Sequence, residues 1–204
     1  MTVVALPERP QVVRIVFDSG QKLSNEAYRA FCESNPDLRV ERNTQGEIVI
    51  VPPAGSESSH RSLDVASQLF AWAKKDGCGK AFDSSVQFLL PDGSALSPDA
   101  AWVSNESLAR CSRQQRKGFL PLAPEFVVEV MSPSDRLKQA KTKMEQWVAN
   151  GVQLAWLIDG DAETIHIYRT NHAPKTRQGI QQLAGAGPIQ GFVIQLRSIW
   201  AGLG

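Results

Sequence analysis

The fold of this chain is read from one stretch, Pro124-Glu125-Phe126-Val127-Val128-Glu129-Val130-Met131-Ser132-Pro133. Residues Phe126 to Met131 are mostly β-branched or aromatic, which favours a short buried strand, and proline bounds the strand on both sides. Glu129 is the exception, because burying a carboxylate without a partner costs several kcal/mol or shifts its pKa. We therefore expect a metal ion, a basic residue or water to meet Glu129.

A second acid begins a second apolar strand, in Ser97-Pro98-Asp99-Ala100-Ala101-Trp102-Val103. Mg²⁺ takes carboxylate oxygens completed by water and phosphate, a bound ion lowers the pKa of the attacking water, and a nearby ammonium orients that water. A lysine-bearing helix is predicted after Glu129. Two carboxylates and a lysine from adjacent elements are therefore consistent with a metal-dependent site for phosphodiester cleavage.

The lysine-bearing helix is expected to begin at a cap formed by Ser134 or Asp135 and to end near Asn150-Gly151. Its apolar stripe consists of Leu137, Ala140, Met144, Trp147 and Val148. Lys141 and Lys143 lie on opposite flanks of that stripe, so helical periodicity alone leaves both as candidates.

The rest of the chain alternates between strand and helix patterns. In chain order, the predicted elements are a strand at 12–17, a helix at 25–34 capped by Ser24 or Asn25, a hairpin at 38–51, a helix at 57–75, a strand at 81–90, a hairpin at 154–168 and a strand at 192–196. The long helix has an apolar stripe of Leu63, Ala66, Phe70 and Ala73. Residues 171–188 are polar and glycine-rich, which predicts an irregular tail.

These elements predict one α/β (α+β) domain at 23–204, a mixed β-sheet core flanked by helices, after an N-terminal arm at 1–22. A chain of 204 residues with 42% hydrophobic residues is large enough for such a core. The net charge of +1 creates no global attraction for nucleic acid. A local basic patch of Arg110, Arg113, Arg116 and Lys117 is one candidate contact, and a solvated loop is the alternative.

Several classes of protein are excluded by missing patterns. The three cysteines are widely spaced, which is typical of reduced thiols and not of a disulfide framework or a zinc site. No window approaches the roughly 18 apolar residues of a membrane span, and no GxxxxGK[ST] loop is present. We expect a cytoplasmic protein with no nucleotide cofactor.

Several short motifs resemble those of one nuclease superfamily. They are Pro52-Pro53-Ala54-Gly55-Ser56-Glu57, Ala81-Phe82-Asp83-Ser84-Ser85, Ser97-Pro98-Asp99, Pro124-Glu125-Phe126-Val127-Val128-Glu129-Val130, Ser132-Pro133-Ser134-Asp135, Lys143-Met144 and Trp156-Leu157-Ile158-Asp159. With these motifs the chain resembles the PD-(D/E)XK nucleases, and more narrowly the Uma-two family of putative restriction endonucleases, from about Leu23 to Trp200.

The resemblance implies a restriction-endonuclease-like fold and a set of site residues. Asp99 and Glu129 would bind the metal, with the backbone carbonyl of Val130 as a third ligand. The superfamily lysine usually stands two residues after the second acid, where this chain has Met131, and the family match selects Lys143 on the following helix instead. Glu57 matches a helix-borne acid that completes such sites.

The resemblance further implies Mg²⁺ as the metal, with Mn²⁺ as a substitute, and DNA as the substrate. Cleavage of both strands with one site per chain favours a homodimer. The alternative is a catalytically inactive module that keeps the nuclease fold and binds nucleic acid or protein. Metal-dependent stabilisation against heat distinguishes the two hypotheses.

Overall fold

The computed structural model describes residues 14–15, 22–133 and 135–204. Of the predicted arm at 1–22 and its strand at 12–17, only 14–15 and Lys22 are among the described residues. The pair Arg14–Ile15 forms strand β1. Ser134, one of two predicted caps, also lies outside the described residues.

The N-terminal part of the chain forms a helix and a five-stranded sheet. Helix α1 spans Asn25–Ser34, and the Ser24 hydroxyl caps it by accepting from the Ala27 amide at 3.1 Å. The sheet has the order β1-β3-β2-β6-β5, with β2 at Val40–Arg42, β3 at Ile48–Ile50, β5 at Phe88–Leu89 and β6 at Ala95–Leu96. The predicted helix and hairpin are confirmed.

The central element is a six-stranded mixed sheet. Its order is β11-β10-β9-β8-β7-β4, with β4 at Gly79–Asp83, β7 at Ala100–Ser104, β8 at Phe126–Val130, β9 at Leu154–Asp159, β10 at Thr164–Arg169 and β11 at His172–Gln178. Strands β8 and β9 are parallel, and the other neighbours are antiparallel. The two strands that carry Asp99 and Glu129 are therefore neighbours in the sheet interior.

Helices cover both faces of this sheet. Helix α2, Ser56–Asp76, buries Val65 and Leu69 against one face, and helix α4, Leu137–Ala149, buries Met144 and Trp147 against the other. The remaining elements are α3 at Asn105–Ala109, β12 at Gln182–Ala184, β13 at Val193–Gln195 and α5 at Arg197–Ala201, with 3₁₀ turns at Gln115–Lys117 and Gly187–Ile189. Among the described residues, no helix combines the length and the apolar character needed to cross a membrane.

One strand prediction was wrong, and two strands in the polar tail were not predicted. The predicted strand at 81–90 is two strands in different sheets, β4 and β5, because the Asp83 carboxylate accepts from the amide and hydroxyl of Ser85 and turns the chain. The predicted irregular tail contains β11 and β12. Their polar composition gives no strand signal, and pairing with β10 and β13 makes them strands.

Both predicted helices are present as α2 and α4, but part of one apolar stripe and one cap differ from the prediction. The apolar stripe predicted for α2 does not define its buried face, because Leu63 and Phe70 are 65% and 54% exposed while Val65 and Leu69 are buried. Helix α4 begins at Leu137 after Arg136, without a side-chain cap. Asp135 is not its cap, because its carboxylate accepts from the Ser132 amide instead, at 2.7 Å.

Candidate active site

Asp99 stands immediately before β7 and faces the next strand. Its Oδ2 accepts a hydrogen bond from the Val130 amide at 2.7 Å, which connects the start of β7 to the end of β8. Burial raises the pKa of the Asp99 carboxyl above its usual value, while the Val130 hydrogen bond and the positive charges of Lys143 and Arg39 oppose the rise. The acid therefore lies where a nearby cation would favour its charged form.

Glu129 is the acid inside the apolar strand β8. Its Oε1 lies 3.0 Å from the Lys143 ammonium and accepts from the Trp147 indole at 2.8 Å. Burial raises the pKa of Glu129 to about 7, and the negative charges of Asp99 and Glu41 add to the rise, although Lys143 and Trp147 oppose it. The expectation that a basic residue would meet this carboxylate thus has a structural counterpart in Lys143.

Lys143 lies one and a half turns into α4, on the side of the helix that faces β8. Its ammonium is shared between Glu129 and Glu41, the latter at 3.2 Å, and also donates to the Ser97 carbonyl at 3.4 Å. Burial alone would lower the pKa of Lys143, but the charges of Glu129 and Glu41 outweigh it and raise the pKa. The ammonium is therefore positively charged. Of the two lysines left open by periodicity, Lys143 is the one that reaches these acids.

Glu41 is a member of this cluster that sequence reasoning missed. It lies in β2, is 16% exposed, and its Oε1 accepts from the Ser97 amide at 3.0 Å in addition to contacting Lys143. An acid in a short hairpin strand usually faces solvent, so the only signal available was its position between Val40 and Arg42, whose side chains are also buried. Glu41 thus joins the N-terminal sheet to the cluster.

Glu57 lies in the first turn of α2, as predicted, but its contacts are elsewhere. It pairs with Arg61 one turn later at 2.9 Å, and Arg61 also binds Asp161 at 2.8 Å and the Ile199 carbonyl at 3.0 Å. Among the described residues, Glu57 forms no hydrogen bond or ion pair with the acids of the cluster. The structure therefore brings together Asp99, Glu129 and Lys143 and places Glu57 in a separate network.

A cavity of about 690 Å³ opens beside Asp99. Helix α2 contributes Ser59 and Ser62 to its wall, and Arg39 lies on the hairpin side. The Arg39 guanidinium donates to the Ser84 carbonyl at 3.0 Å, which holds it at the cavity. The cavity thus combines three acids, Asp37, Asp83 and Asp99, with three serines and the cation Arg39, so its lining is polar and on balance acidic. Arg39, like Glu41, was not predicted from the sequence to be near the site.

The charges of the cluster are suited to a hard cation. Glu41, Asp99 and Glu129 interact with one ammonium, and Arg39 also acts on Asp99, so three carboxylates share two cations in a partly buried space. Both contacts of Glu129 use Oε1, and no described residue donates to Oε2. The described residues contain no group of three His, Cys, Asp or Glu side chains arranged as metal ligands. Two carboxylates completed by water and phosphate oxygen nevertheless suit Mg²⁺.

The basic segment after α3 is partly neutralised. Arg110 forms an ion pair with Glu106 one turn earlier in α3. Arg116 and Lys117 lie in the following 3₁₀ turn. This arrangement supports the solvated-loop alternative for that segment.

The chain matches the model of one protein family and is similar in fold to a solved structure. The model of the family Uma2, described as "Putative restriction endonuclease", matches residues 25–196. A solved structure, a putative nuclease belonging to DUF820 from Anabaena variabilis ATCC 29413, is similar with a TM-score of 0.68 and 18% identity, over 81% of this chain and 91% of that chain. At that identity the likeness establishes the fold. No curated protein matches the chain.

Proposed function

The chain belongs to the Uma2 family of putative restriction endonucleases, and from this premise we propose that it is a Mg²⁺-dependent endonuclease that hydrolyses phosphodiester bonds of DNA. The observation that carries the proposal is the ion pair of Lys143 with Glu129, formed beside a second partly buried acid, Asp99, that accepts a hydrogen bond from the same strand end. An acid pair with an adjacent ammonium is the arrangement that metal-assisted phosphodiester hydrolysis requires.

In this proposal, Asp99 and Glu129 hold the ion, with the backbone carbonyl of Val130 as a third oxygen ligand. Mg²⁺ bound there supplies polarisation of the phosphate and a lower pKa for the attacking water. Mn²⁺ is expected to substitute, because it accepts the same oxygen ligands. The short connection from Asp99 to the Val130 amide keeps the two acids at the ends of adjacent strands.

Lys143 orients the attacking water and neutralises charge that develops on the phosphate. Glu41 is a positioning residue in this scheme, because it forms the second ion pair of the ammonium, at 3.2 Å. Arg39 faces the same cavity as Asp99, so its guanidinium is the group we assign to a phosphate oxygen of the substrate.

Glu57 supports the site indirectly in this proposal. Its ion pair with Arg61 fixes the first turns of α2, and this part of the helix carries Ser59 and Ser62 to the cavity. We expect Glu57→Gln to reduce cleavage less than the loss of either strand acid does. A Glu57→Gln variant as inactive as Glu129→Ala would show that Glu57 acts directly on the reacting groups.

Cleavage of supercoiled plasmid tests the proposal. The wild type is expected to nick the plasmid with Mg²⁺ or Mn²⁺ and to be inactive with EDTA. Glu129→Ala removes an acid of the site, whereas Glu145→Ala removes an exposed acid of α4 and serves as the matched control. Loss of nicking only in Glu129→Ala is the expected result. Nicking that persists in that variant would overturn the assignment of the site.

We further propose that cleavage of both strands uses a homodimer, and that the protein acts in the cytoplasm. One site per chain cuts one strand at a time, so a two-fold dimer would supply the second site. The three cysteines are free, which fits a reducing compartment. Light scattering of the purified protein measures the oligomeric state directly, and a monomeric mass at the concentrations used for cleavage would contradict the dimer.

A further inference from the structure

The edge strand β11 carries a small cavity that the proposed site does not use. This cavity, which we call the β11 pocket, has a volume of about 170 Å³. Its polar lining consists of Arg169, His172, Lys175 and Arg177, and its apolar lining includes Ile167 and Leu183. All residues of β11 are exposed, so its basic side chains are accessible from solvent.

The charge of the β11 pocket is uncompensated. No acidic side chain lines it, and none of its four basic side chains forms an ion pair with a described residue. The basic side chains that do form ion pairs elsewhere in the described ranges are Arg14, Arg61, Arg110 and Lys143. The protein as a whole has a net charge of only +1, so this concentration of basic side chains on β10 and β11 is local.

Strand geometry explains how the cations come together. Lys175 and Arg177 are two residues apart on β11, so their side chains point to the same face about 7 Å apart along the strand. Arg169 pairs with His172 where β10 meets β11, which continues the row toward the turn. The His172 ring is fixed there, because its Nδ1 lies 2.8 Å from the Thr170 carbonyl, which can only accept. The cations Arg169, Lys175 and Arg177 thus lie along one face of β10 and β11, which suits the successive phosphates of a nucleic-acid backbone.

The register of the sheet relates this row to the proposed site. Arg177 pairs with Ile165, Ile165 with Ile158, and Ile158 with Val130. Three strand spacings of about 4.8 Å place the backbone of Arg177 about 14 Å from that of Val130, at the same end of the sheet. This distance corresponds to about four base-pair steps of ~3.4 Å along a duplex. Ile167 and Leu183 of the pocket pack on the α2 face of the sheet, whereas Glu129 contacts Trp147 on the α4 face. A nucleic-acid segment in contact with both would therefore pass over this end of the sheet.

We propose that the β11 pocket is a second nucleic-acid contact, which binds the phosphodiester backbone outside the cleavage site. The identity of this polyanion rests on the proposed function, whereas the pocket itself does not. Its contacts are to phosphate and are independent of base sequence, since cations without aligned base-reading side chains recognise charge alone. The contact increases affinity for long substrates and leaves the chemical step to the acid cluster.

Binding of fluorescently labelled DNA in EDTA, over a series of salt concentrations, tests the inference. The double variant Lys175→Ala/Arg177→Ala is compared with Lys74→Ala/Lys75→Ala, which removes two exposed charges from the end of α2 beside the opposite sheet edge. We expect the first variant to weaken binding about tenfold at ~0.1 M salt and to reduce the slope of log K against log salt by about 2. The control should keep the wild-type slope, and both should keep the wild-type melting temperature.

An unchanged slope in Lys175→Ala/Arg177→Ala, an equal change in the control, or no binding of DNA by the wild type would overturn the inference. Plasmid cleavage by the same proteins separates it from the proposed function. If the slope falls and the wild type cleaves nothing, the β11 pocket stands and the nuclease proposal fails. If the wild type cleaves and the slope is unchanged, the nuclease proposal stands and the inference fails.

Discussion

Among single residues, Lys143 has the most consequences, because one ammonium neutralises two acids from different sheets. In Lys143→Ala, Glu41 and Glu129 would face each other without a cation. We expect plasmid nicking to fall by about 100-fold or more, the usual effect of removing one electrostatic catalyst. Lys138→Ala removes an exposed lysine from the same helix and should retain activity within about twofold. Lys143→Ala with near-wild-type nicking would exclude this lysine from the chemistry.

His166 makes stability depend on pH. It is buried in β10 with its Nδ1 3.0 Å from the Thr176 hydroxyl, and burial, helped by the charge of Lys141, lowers its pKa below the usual 6.5. The unfolded chain therefore takes up this proton at a higher pH than the folded chain. As pH falls through 6.5 toward the folded pKa, the free energy of unfolding decreases, by up to about 1.4 kcal/mol per pH unit.

His166→Asn should remove this contribution. Urea unfolding of both proteins at pH 7.5, 6.5 and 5.5 gives the difference between their unfolding free energies, in which other titrating groups largely cancel. We expect the difference to shift in favour of the variant as pH falls. A difference that is constant over this range would show that His166 does not lose stability on protonation.

The residues of the site differ in how far sequence reveals them. Asp99 and Glu129 are visible because each is an acid in an apolar strand. Lys143 was chosen over Lys141 by family resemblance, since both flank one helical stripe. Glu41 was missed because its partner is 102 residues away. The resemblance assigns Glu57 to the site, but Glu57 instead forms an ion pair with Arg61, which lies four residues later on the same helix.

At the level of elements, helix α2 offers a test of its corrected face. Leu69 is 1% exposed and packs in the core, whereas Leu63 on the same helix is 65% exposed. Leu69→Ala should lower the free energy of unfolding by about 2–5 kcal/mol, the usual cost of a buried leucine. Leu63→Ala should change it by less than about 0.5 kcal/mol. Urea unfolding of both variants measures the two values, and equal losses would contradict this orientation of the helix.

Helices and strands with a strong apolar pattern could be predicted from the sequence. Strands that form only because they pair with a neighbouring strand could not. Strand β8 and the β9–β10 hairpin have dense β-branched sequence and were found. Strand β11 is His-Ala-Pro-Lys-Thr-Arg-Gln and has no such signal, so only its pairing with β10 makes it a strand. Helix α2 has apolar residues on two faces, and local sequence does not say which one the sheet covers.

For the molecule as a whole, the proposed metal site predicts that Mg²⁺ stabilises the folded chain. An ion that binds only the folded chain with a Kd of ~0.1 mM raises the free energy of unfolding by about 2.7 kcal/mol in ~10 mM Mg²⁺. For a chain of this size, that corresponds to a rise in Tm of about 5–10 °C. Asp99→Ala and Glu129→Ala should not show the rise. A wild type whose Tm does not respond to Mg²⁺ or Mn²⁺ would favour the inactive binding module.

The pairing of Glu41 with Lys143 has a consequence for biosynthesis. During translation Glu41 leaves the ribosome long before Lys143, because 102 residues separate them. Contacts of such long range form late in folding, since the intervening chain must first be ordered. A nascent or prematurely terminated chain that ends before α4 has both strand acids but no ammonium between them. The cluster of acids and ammonium is therefore complete only after the chain has been synthesised through Lys143.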